Sequence, residues 1–116
     1  MKVCKKENSV LYKNSNECHN MEYPLGDPDI NVSVATVNGK YPETGYCVNE
    51  RVKELLYIME GTGKLIKKDE IIEFKAGDVI LVEKGEAYRW DANCKVLISC
   101  TPAWYEEQHK LIDEEN

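Results

Sequence analysis

The feature that most constrains the fold is the regular alternation of short apolar runs with turn signals along the chain. The apolar runs are four to eight residues long and lie at 9–13, 30–37, 54–60, 64–67, 71–74, 79–82, 87–90 and 95–100. Turn-forming sequences rich in Gly, Asp, Asn and Pro stand between them. Short strands at this spacing are typical of an antiparallel sandwich or barrel. The sequence therefore predicts an all-β fold.

Two local signals refine this prediction. Asn38-Gly39 is the strongest hairpin signal in the chain, because both residues tolerate the positive φ that a type I′ turn requires. At the other end, Thr101 can cap a helix and Pro102 can occupy its first position, which predicts one short C-terminal helix over 102–113. The apolar stripe of that helix would be formed by Trp104, Leu111 and Ile112.

The length indicates one domain. A chain of 116 residues can bury a core without the help of disulfides or a structural metal. The first 25 residues are polar and irregular apart from 9–13. We expect residues 1–25 to form an N-terminal arm that packs on the barrel or is exchanged with a partner, and 26–116 to form the barrel with its helix.

Charge and cysteine content narrow the range of partners and compartments. The chain has 15 basic and 21 acidic residues, a net charge of -6, so a phosphate backbone or an anionic membrane is not an expected partner. The first residues lack the apolar core of a secretory signal. The five cysteines are odd in number and include no Cys-x-x-Cys, which fits a reducing compartment. We therefore expect a cytoplasmic protein.

The segment 45–90 carries a more specific pattern of glycines. Gly45 is followed by Glu54 and Gly61, and Gly77 is followed by Gly85 and then Tyr88. This pattern resembles the two motifs of the cupin family. In that family the first motif reads Gly, five residues, His-x-His, three or four residues, Glu, six residues, Gly, and the second reads Gly, five residues, Pro-x-Gly, two residues, His. The resemblance implies a cupin-type jelly-roll barrel of two antiparallel sheets, and small cupins commonly form homodimers.

The histidines of the cupin motifs are absent from the matching positions. The resemblance places the family's third metal-binding histidine on Tyr88, and its His-x-His pair on Cys47 and Asn49 or, with the shorter spacing, on Val48 and Glu50. A thiolate suits zinc or copper, whereas an amide oxygen is a poor ligand for a transition metal. We therefore expect no tightly bound cofactor, and a divalent metal only if a histidine from outside the motifs completes the site.

Glu54 and Tyr88 are the residues to which the resemblance assigns chemistry. Glu54 begins a strand that is otherwise apolar on both faces, so it is either an inward-facing ligand or acid/base group, or an exposed first residue. Tyr88 and Trp90 are two positions apart on one strand and share a face, which the resemblance directs into the barrel. Tyr88 could donate a hydrogen bond to Glu54. Trp90 could line a pocket or be an ordinary core aromatic.

Aromatic and histidine side chains outside the motifs are further candidates. Trp104 follows the last strand and could supply a flat apolar surface to a ligand, or pack the helix onto the barrel. His19 and His109 could close over the mouth of the barrel or be solvated surface residues. The candidate ligand-binding residues are Cys47, Asn49, Glu54, Tyr88, Trp90, Trp104 and His109.

Three classes of function are compatible with these residues. The first is a barrel that binds a small polar metabolite, carbohydrate-like or a carboxylic acid, without metal. The second is an acid/base enzyme such as a sugar isomerase or epimerase, with catalytic residues Glu54 as base and Tyr88 as acid. The third is a divergent metal-dependent enzyme such as a dioxygenase. The fold hosts all three, so the sequence does not choose among them.

Overall fold

The computed structural model describes residues 1–113 and confirms the all-β prediction. Within those residues the chain forms nine strands and two short 3₁₀ turns, at Lys6–Asn8 and Glu106–Gln108. The strands are β1 Val10–Lys13, β2 Cys18–Glu22, β3 Asn31–Tyr41, β4 Tyr46–Asn49, β5 Lys53–Ile66, β6 Ile71–Lys75, β7 Val79–Val82, β8 Ala87–Thr101 and β9 His109–Ile112.

The long strands β5 and β8 organise the sheet. Strand β8 pairs with β5 on one side, and on the other side it pairs first with β4 and then with β3. The sheet continues from β3 through β2 to β1, from β4 to β9, and from β5 to β6 and β7. Every one of these pairs is antiparallel. The first 25 residues thus include two strands of the sheet, while exchange of this arm with a partner stays a prediction.

Strand β8 curls around the interior of the barrel. Tyr88 and Cys100 are twelve positions apart on this strand, which would separate them by about 40 Å if it were straight. Both side chains nevertheless contact the carboxyl group of Glu54. The strand must therefore bend, so that its two ends face each other across the interior.

Small residues allow this bend. Gly63 of β5 and Gly39 of β3 lie opposite Ala92 of β8 on either side. A Cβ atom at Gly63 would overlap the side chain of Ala92. A Cβ atom at Gly61 would overlap the carbonyl oxygen of Asn93, and Gly61 also has a φ of +86°. The pairing register between β5 and β8 shifts just before Gly61, so an irregularity in the pairing lies next to these close contacts.

The predicted hairpin at Asn38-Gly39 is wrong. Both residues lie inside β3, where they pair with Asn93 and Ala92 of β8. Gly39 does adopt a positive φ, of 126°, but it does so within a continuous strand. The conformational freedom of glycine is used here to curve the sheet and not to reverse the chain.

The predicted C-terminal helix over 102–113 is also wrong. Only Glu106–Gln108 forms a 3₁₀ turn, and residues 109–112 form β9 along the edge of β4. Leu111 and Ile112, which would have packed the helix onto the barrel, are 62% and 43% exposed. Hydrogen bonding to the edge of β4 outweighs the weak local preference for a helix.

The two faces of β5 show where the core lies. Glu54, Leu56 and Ile58 are buried inside the barrel, whereas the alternate residues Leu55 and Tyr57 are 48% and 46% exposed on its outside. The core is formed by inward-facing side chains of strands β2 to β8, with Val52 from the loop between β4 and β5. No helix among residues 1–113 is long and apolar enough to cross a membrane.

Candidate functional site

A cavity opens into the curled sheet and is the candidate functional site. It contains about 580 Å³ of empty space, including the open solvent at its mouth. Six of the seven candidate ligand-binding residues line it, namely Cys47, Glu54, Tyr88, Trp90, Trp104 and His109. The seventh, Asn49, is buried behind the wall and bonds to Trp104 and His109. The other histidine, His19, is not among the lining residues.

Glu54 and Tyr88 form a buried hydrogen-bonded pair on one part of the wall. The Tyr88 hydroxyl donates to Glu54 Oε1 at 2.7 Å, and the two side chains are 5% and 6% exposed. Glu54 is therefore not an exposed first residue of its strand. Among residues 1–113, the Cys100 thiol is the only other side-chain donor to Glu54, and it lies 3.9 Å from Oε2. The carboxyl group thus has one strong donor and one weak one.

Burial dominates the electrostatics of this pair. Loss of solvent raises the pKa of the Glu54 carboxyl above its usual 4.5, although the hydrogen bonds from Tyr88 and Cys100 act in the opposite direction. Burial and the neighbouring Glu54 raise the pKa of Tyr88 well above 10. The surroundings therefore favour a protonated hydroxyl and a neutral carboxyl group, which is a form able to donate a proton.

Asn49 organises a second polar cluster at the base of β4. Its Oδ1 atom accepts hydrogen bonds from Trp104 Nε1 at 3.2 Å and Gln108 Nε2 at 2.8 Å, and lies 2.9 Å from His109 Nδ1. The antiparallel pairing of Asn49 with His109 places the two side chains together. On its far side, His109 Nε2 lies 3.1 Å from the hydroxyl of Tyr41, which also lines the cavity.

The His109 ring is partly buried between aromatic neighbours. The Trp104 ring lies 5.7 Å from it, and the Tyr41 ring is stacked at 6.4 Å. Burial lowers the pKa of His109 below 6.5, which favours the neutral imidazole. Trp90 instead packs edge-on against Phe74 and Tyr88, so most of its contacts are those of a core aromatic.

The residues at the cupin metal positions do not fit a metal centre. Among residues 1–113, no three His, Cys, Asp or Glu side chains come together in a way that could hold a metal ion. The Cys47 thiol donates to the backbone oxygen of Tyr88 at 3.4 Å, and burial raises the pKa of Cys47, whereas metals bind the thiolate. The Asn49 oxygen already accepts from its neighbours.

Several residues of the site were not identified from the sequence, and three of them contact the candidate residues directly. Tyr41 lies at the end of β3, Gln108 lies in the 3₁₀ turn before β9, and Cys100 faces Glu54 across the pairing of β5 with β8. Gln108 is 2% exposed and is the link between Asn49 and the loop after β4. A polar residue directly before His109 was the only available signal, and it required knowing that 109–112 form a strand.

Comparison with solved structures shows that the chain has a cupin-type fold. The structure of a tyrosine-to-phenylalanine variant of Streptomyces PAC13 with uridine is 18% identical, with a TM-score of 0.86 over 97% of this chain and 91% of that chain. Pac13 is described as a unique nucleoside dehydratase. Ectoine synthase from P. lautus is 14% identical, with a TM-score of 0.73 over 97% of this chain and 90% of that chain.

A third solved structure, KdgF from Halomonas sp., is 12% identical, with a TM-score of 0.69 over 86% of this chain and 94% of that chain. These proteins share the cupin-type barrel, so the fold that the glycine spacing implied is confirmed. No protein-family model matches the chain. No curated protein matches it either.

Proposed function

We propose that the cavity binds a small polar metabolite of carbohydrate-like character. The observation that carries this proposal is the make-up of the cavity wall, which combines aromatic surface with a few inward-facing polar groups. Trp104 supplies the aromatic surface, while Glu54, Tyr88, Tyr41 and His109 supply hydroxyl, carboxyl and imidazole groups. Sites for small molecules are mostly apolar, with a few polar groups that fix the orientation of the ligand.

A nucleoside is the first ligand to test. Two features support this choice: PAC13, which has the highest of the TM-scores given above, was solved with uridine, and the cavity offers both a ring surface and hydroxyl-binding groups. A planar base can stack on the Trp104 ring, and ribose hydroxyls can bond to the Tyr88 and Tyr41 hydroxyls. The -6 charge of the chain favours a neutral nucleoside over its phosphate.

The binding experiment measures melting temperature and calorimetric titration of tag-free protein with uridine, other nucleosides, monosaccharides and small carboxylic acids. A ligand at 100 times its Kd stabilises the folded state by about 2.7 kcal/mol. Tyr88→Phe should weaken binding, whereas Tyr57→Phe, a matched change on the outer face of the barrel, should leave it unchanged. If no compound in the panel stabilises the protein, the proposed function is wrong.

A second candidate function is acid/base catalysis on the bound metabolite. The specific observation in its favour is the buried Glu54–Tyr88 pair, because burial raises the pKa of Glu54 and so favours the protonated form that can act as an acid. Incubation with the ligand found above, followed by NMR and mass spectrometry, would reveal isomerisation or loss of water. Glu54→Gln should abolish turnover while retaining binding; a variant with full turnover would remove this candidate.

The outer face of the sheet supports the prediction of a homodimer. A row of apolar side chains crosses six paired strands on this face: Leu11, Met21, Val34, Leu97, Tyr57 and Val79. Tyr57 and Val79 are 46% and 61% exposed, and monomeric proteins rarely expose continuous apolar patches of large extent. We propose that a second copy covers this row. Light scattering should give a dimer for the native chain and a monomer for Tyr57→Lys; a native monomer at tens of micromolar excludes it.

A further inference from the structure

His109 is held at both of its ring nitrogens. Its Nδ1 atom lies 2.9 Å from Asn49 Oδ1, and its Nε2 atom lies 3.1 Å from the Tyr41 hydroxyl. A neutral imidazole carries one proton, on either nitrogen, and the other nitrogen then accepts. The chemistry of the cavity depends on which nitrogen carries that proton, because only the other one can take up a further proton.

The orientation of Gln108 decides the position of this proton. The backbone N–H groups of Arg51 and Val52 both donate to Gln108 Oε1, each at 3.2 Å. The amide nitrogen of Gln108 must therefore point the other way, toward Asn49, where it donates at 2.8 Å. An atom that accepts from an amide nitrogen has to be the oxygen of Asn49.

Trp104 independently identifies the atom of Asn49 that faces His109 as the amide oxygen. The indole N–H is a donor and has no acceptor function, and it points at the same Asn49 oxygen at 3.2 Å. An amide oxygen does not donate, so His109 Nδ1 has to carry the proton. The Nε2 atom then holds a lone pair, and the Tyr41 hydroxyl donates to it.

We infer that Asn49, His109 and Tyr41 form a proton relay that accepts a proton from a hydroxyl group of the ligand in the cavity. The relay rests on the proposed function, because it needs a ligand at the Tyr41 hydroxyl. His109 Nε2 is the final acceptor of the proton, Tyr41 is the group that touches the ligand, and Asn49 is the positioning residue that fixes the ring.

The relay moves protons without any net change at Tyr41. The ligand O–H bond breaks and a new O–H bond forms on the Tyr41 oxygen, while the original Tyr41 O–H bond breaks and an N–H bond forms on His109 Nε2. As the ligand oxygen loses its proton in the course of its reaction, His109 becomes an imidazolium that keeps its hydrogen bond to Asn49 Oδ1. Glu54 lies on the wall of the same cavity, and burial favours its protonated form, from which a proton can return to the ligand.

The surroundings of His109 are compatible with this role. Burial lowers the pKa of His109, so its neutral form is the one present before the transfer. The wall of the cavity carries other titratable groups on β1, β2, β3, β4, β5 and β8, namely Tyr12, Cys18, Glu22, Tyr41, Cys47, Glu54, Tyr88 and Cys100. Burial raises the pKa of Tyr41 as well, which keeps its hydroxyl protonated and able to donate to Nε2.

The first test is the tautomer of His109 in the free protein. The chain contains two histidines, so His19→Gln leaves a single imidazole in tag-free ¹⁵N-labelled protein. Long-range ¹H–¹⁵N correlation at pH 7.5 should show a protonated Nδ1 and an unprotonated Nε2. A proton on Nε2, a mixture of tautomers or a charged ring would overturn the relay. This measurement requires no ligand and no change inside the cavity.

The second test is the role of Tyr41 toward a ligand. With uridine, or whichever compound of the panel binds, Tyr41→Phe should weaken binding about 5-fold or more, since one hydrogen bond contributes about 1 kcal/mol. The ring of His109 should keep its Nδ1–H tautomer in this variant, which separates loss of the hydroxyl from disruption of the cluster. Tyr57→Phe is the matched control.

The two tests separate failure of the relay from failure of the proposed function. If Tyr41→Phe binds the ligand as tightly as the native chain does, the relay is wrong and the binding function stands. If no compound of the panel binds, both the proposed function and the role of Tyr41 toward a ligand are wrong. This holds even if His109 has the inferred tautomer. A wrong tautomer in a protein that binds a ligand rejects the relay alone.

Discussion

The carboxyl group of Glu54 and the imidazole ring of His109 line the same cavity, yet burial shifts their pKa values in opposite directions. The pKa of Glu54 is raised and that of His109 is lowered, because in each case the loss of solvent disfavours the charged form. Burial therefore favours the protonated form of the acid and the unprotonated form of the base. These are the forms in which a carboxyl group can donate a proton and an imidazole can accept one.

The two parts of the cavity wall also differ in their hydrogen bonding. One oxygen of Asn49 interacts with three neutral donors, so that end contains no ionised group and little freedom to rearrange. Glu54 has one hydroxyl donor at 2.7 Å and a thiol at 3.9 Å. Loss of an interaction should thus change the free energy of unfolding most at the Asn49 end and its pH dependence most at the Glu54 end.

Replacement of Asn49 should give the largest effect. Asn49→Leu leaves the N–H groups of Trp104, Gln108 and His109 without their acceptor, so we expect the free energy of unfolding to fall by roughly 2–5 kcal/mol. Asn49→Asp keeps an acceptor oxygen at the same place and should lose less. Urea denaturation at pH 7 compares the two variants. Equal losses would mean that packing and not the three hydrogen bonds stabilises this end.

Removal of the charge at Glu54 should change how stability depends on pH. Above pH 4.5 the unfolded chain releases the Glu54 proton while the folded chain retains it, so the free energy of unfolding falls as pH rises toward the folded-state pKa. Glu54→Gln cannot ionise and should lack this fall. At pH 8 the free energy of unfolding of Glu54→Gln should exceed that of the native chain by about 1.4 kcal/mol for each unit by which the pKa of Glu54 is raised.

The measurement for Glu54 is a series of urea denaturation curves between pH 4.5 and 9. Parallel profiles for Glu54→Gln and the native chain would contradict a raised pKa in the folded state. Glu73→Gln is the control, because this residue is an exposed carboxylate on the neighbouring strand β6. Its replacement should leave the shape of the profile unchanged.

His109 should produce a smaller effect of opposite sign. Below pH 6.5 the His109 imidazole binds a proton in the unfolded chain but stays neutral in the folded chain. The free energy of unfolding therefore decreases as pH falls toward the lowered folded-state pKa. The effect is smaller because the ring is half-buried, whereas Glu54 is buried. The decrease in the free energy of unfolding below pH 6.5 should be present in the Glu54→Gln variant. It should remain when His19→Gln is added and disappear when His109→Gln is added. A slope that survives the last change belongs to another group.

The sequence predicted the contact between Glu54 and Tyr88 but not the contacts at the other end of the cavity, for a physical reason. Asn49, Trp104 and His109 were candidate residues, but their hydrogen bonds to one another were not predicted. Glu54 and Tyr88 stand at fixed spacings from glycines that shape the barrel, so their positions follow from local patterns. The cluster around Asn49 depends on the pairing of β4 with β9, and Tyr41 and His109 are 68 positions apart. The same pairing outweighed the local helix signal at Thr101. A short apolar stripe does not reveal that a strand edge elsewhere needs a partner.

Asn38-Gly39 teaches a related lesson about glycine signals. The dipeptide permits a positive φ, and Gly39 adopts one, but the small side chains opposite it turn this freedom into curvature of the sheet.

The outward-facing residues of β5 could not be assigned from the sequence for another reason. The strand is apolar on both faces, so the alternation of residues did not identify the inward face. Glu54 was the only residue that distinguished this face from the other.

Replacement of Trp104 should have the smallest effect and is the sharpest test of how the Asn49 end is ordered. Trp104→Phe removes one of the three donors and keeps an aromatic ring, so we expect a loss of about 0.5–1.5 kcal/mol in urea denaturation. The Nδ1–H tautomer of His109 should persist, because Gln108 is oriented by two backbone N–H groups and still directs its own N–H at the Asn49 oxygen. A change of tautomer in this variant would show that the indole orients Asn49. If the tautomer persists, the orientation of the Asn49 amide is set by the backbone N–H groups of the loop after β4, which act through Gln108. This loop lies outside the cavity, so a bound ligand does not change that orientation.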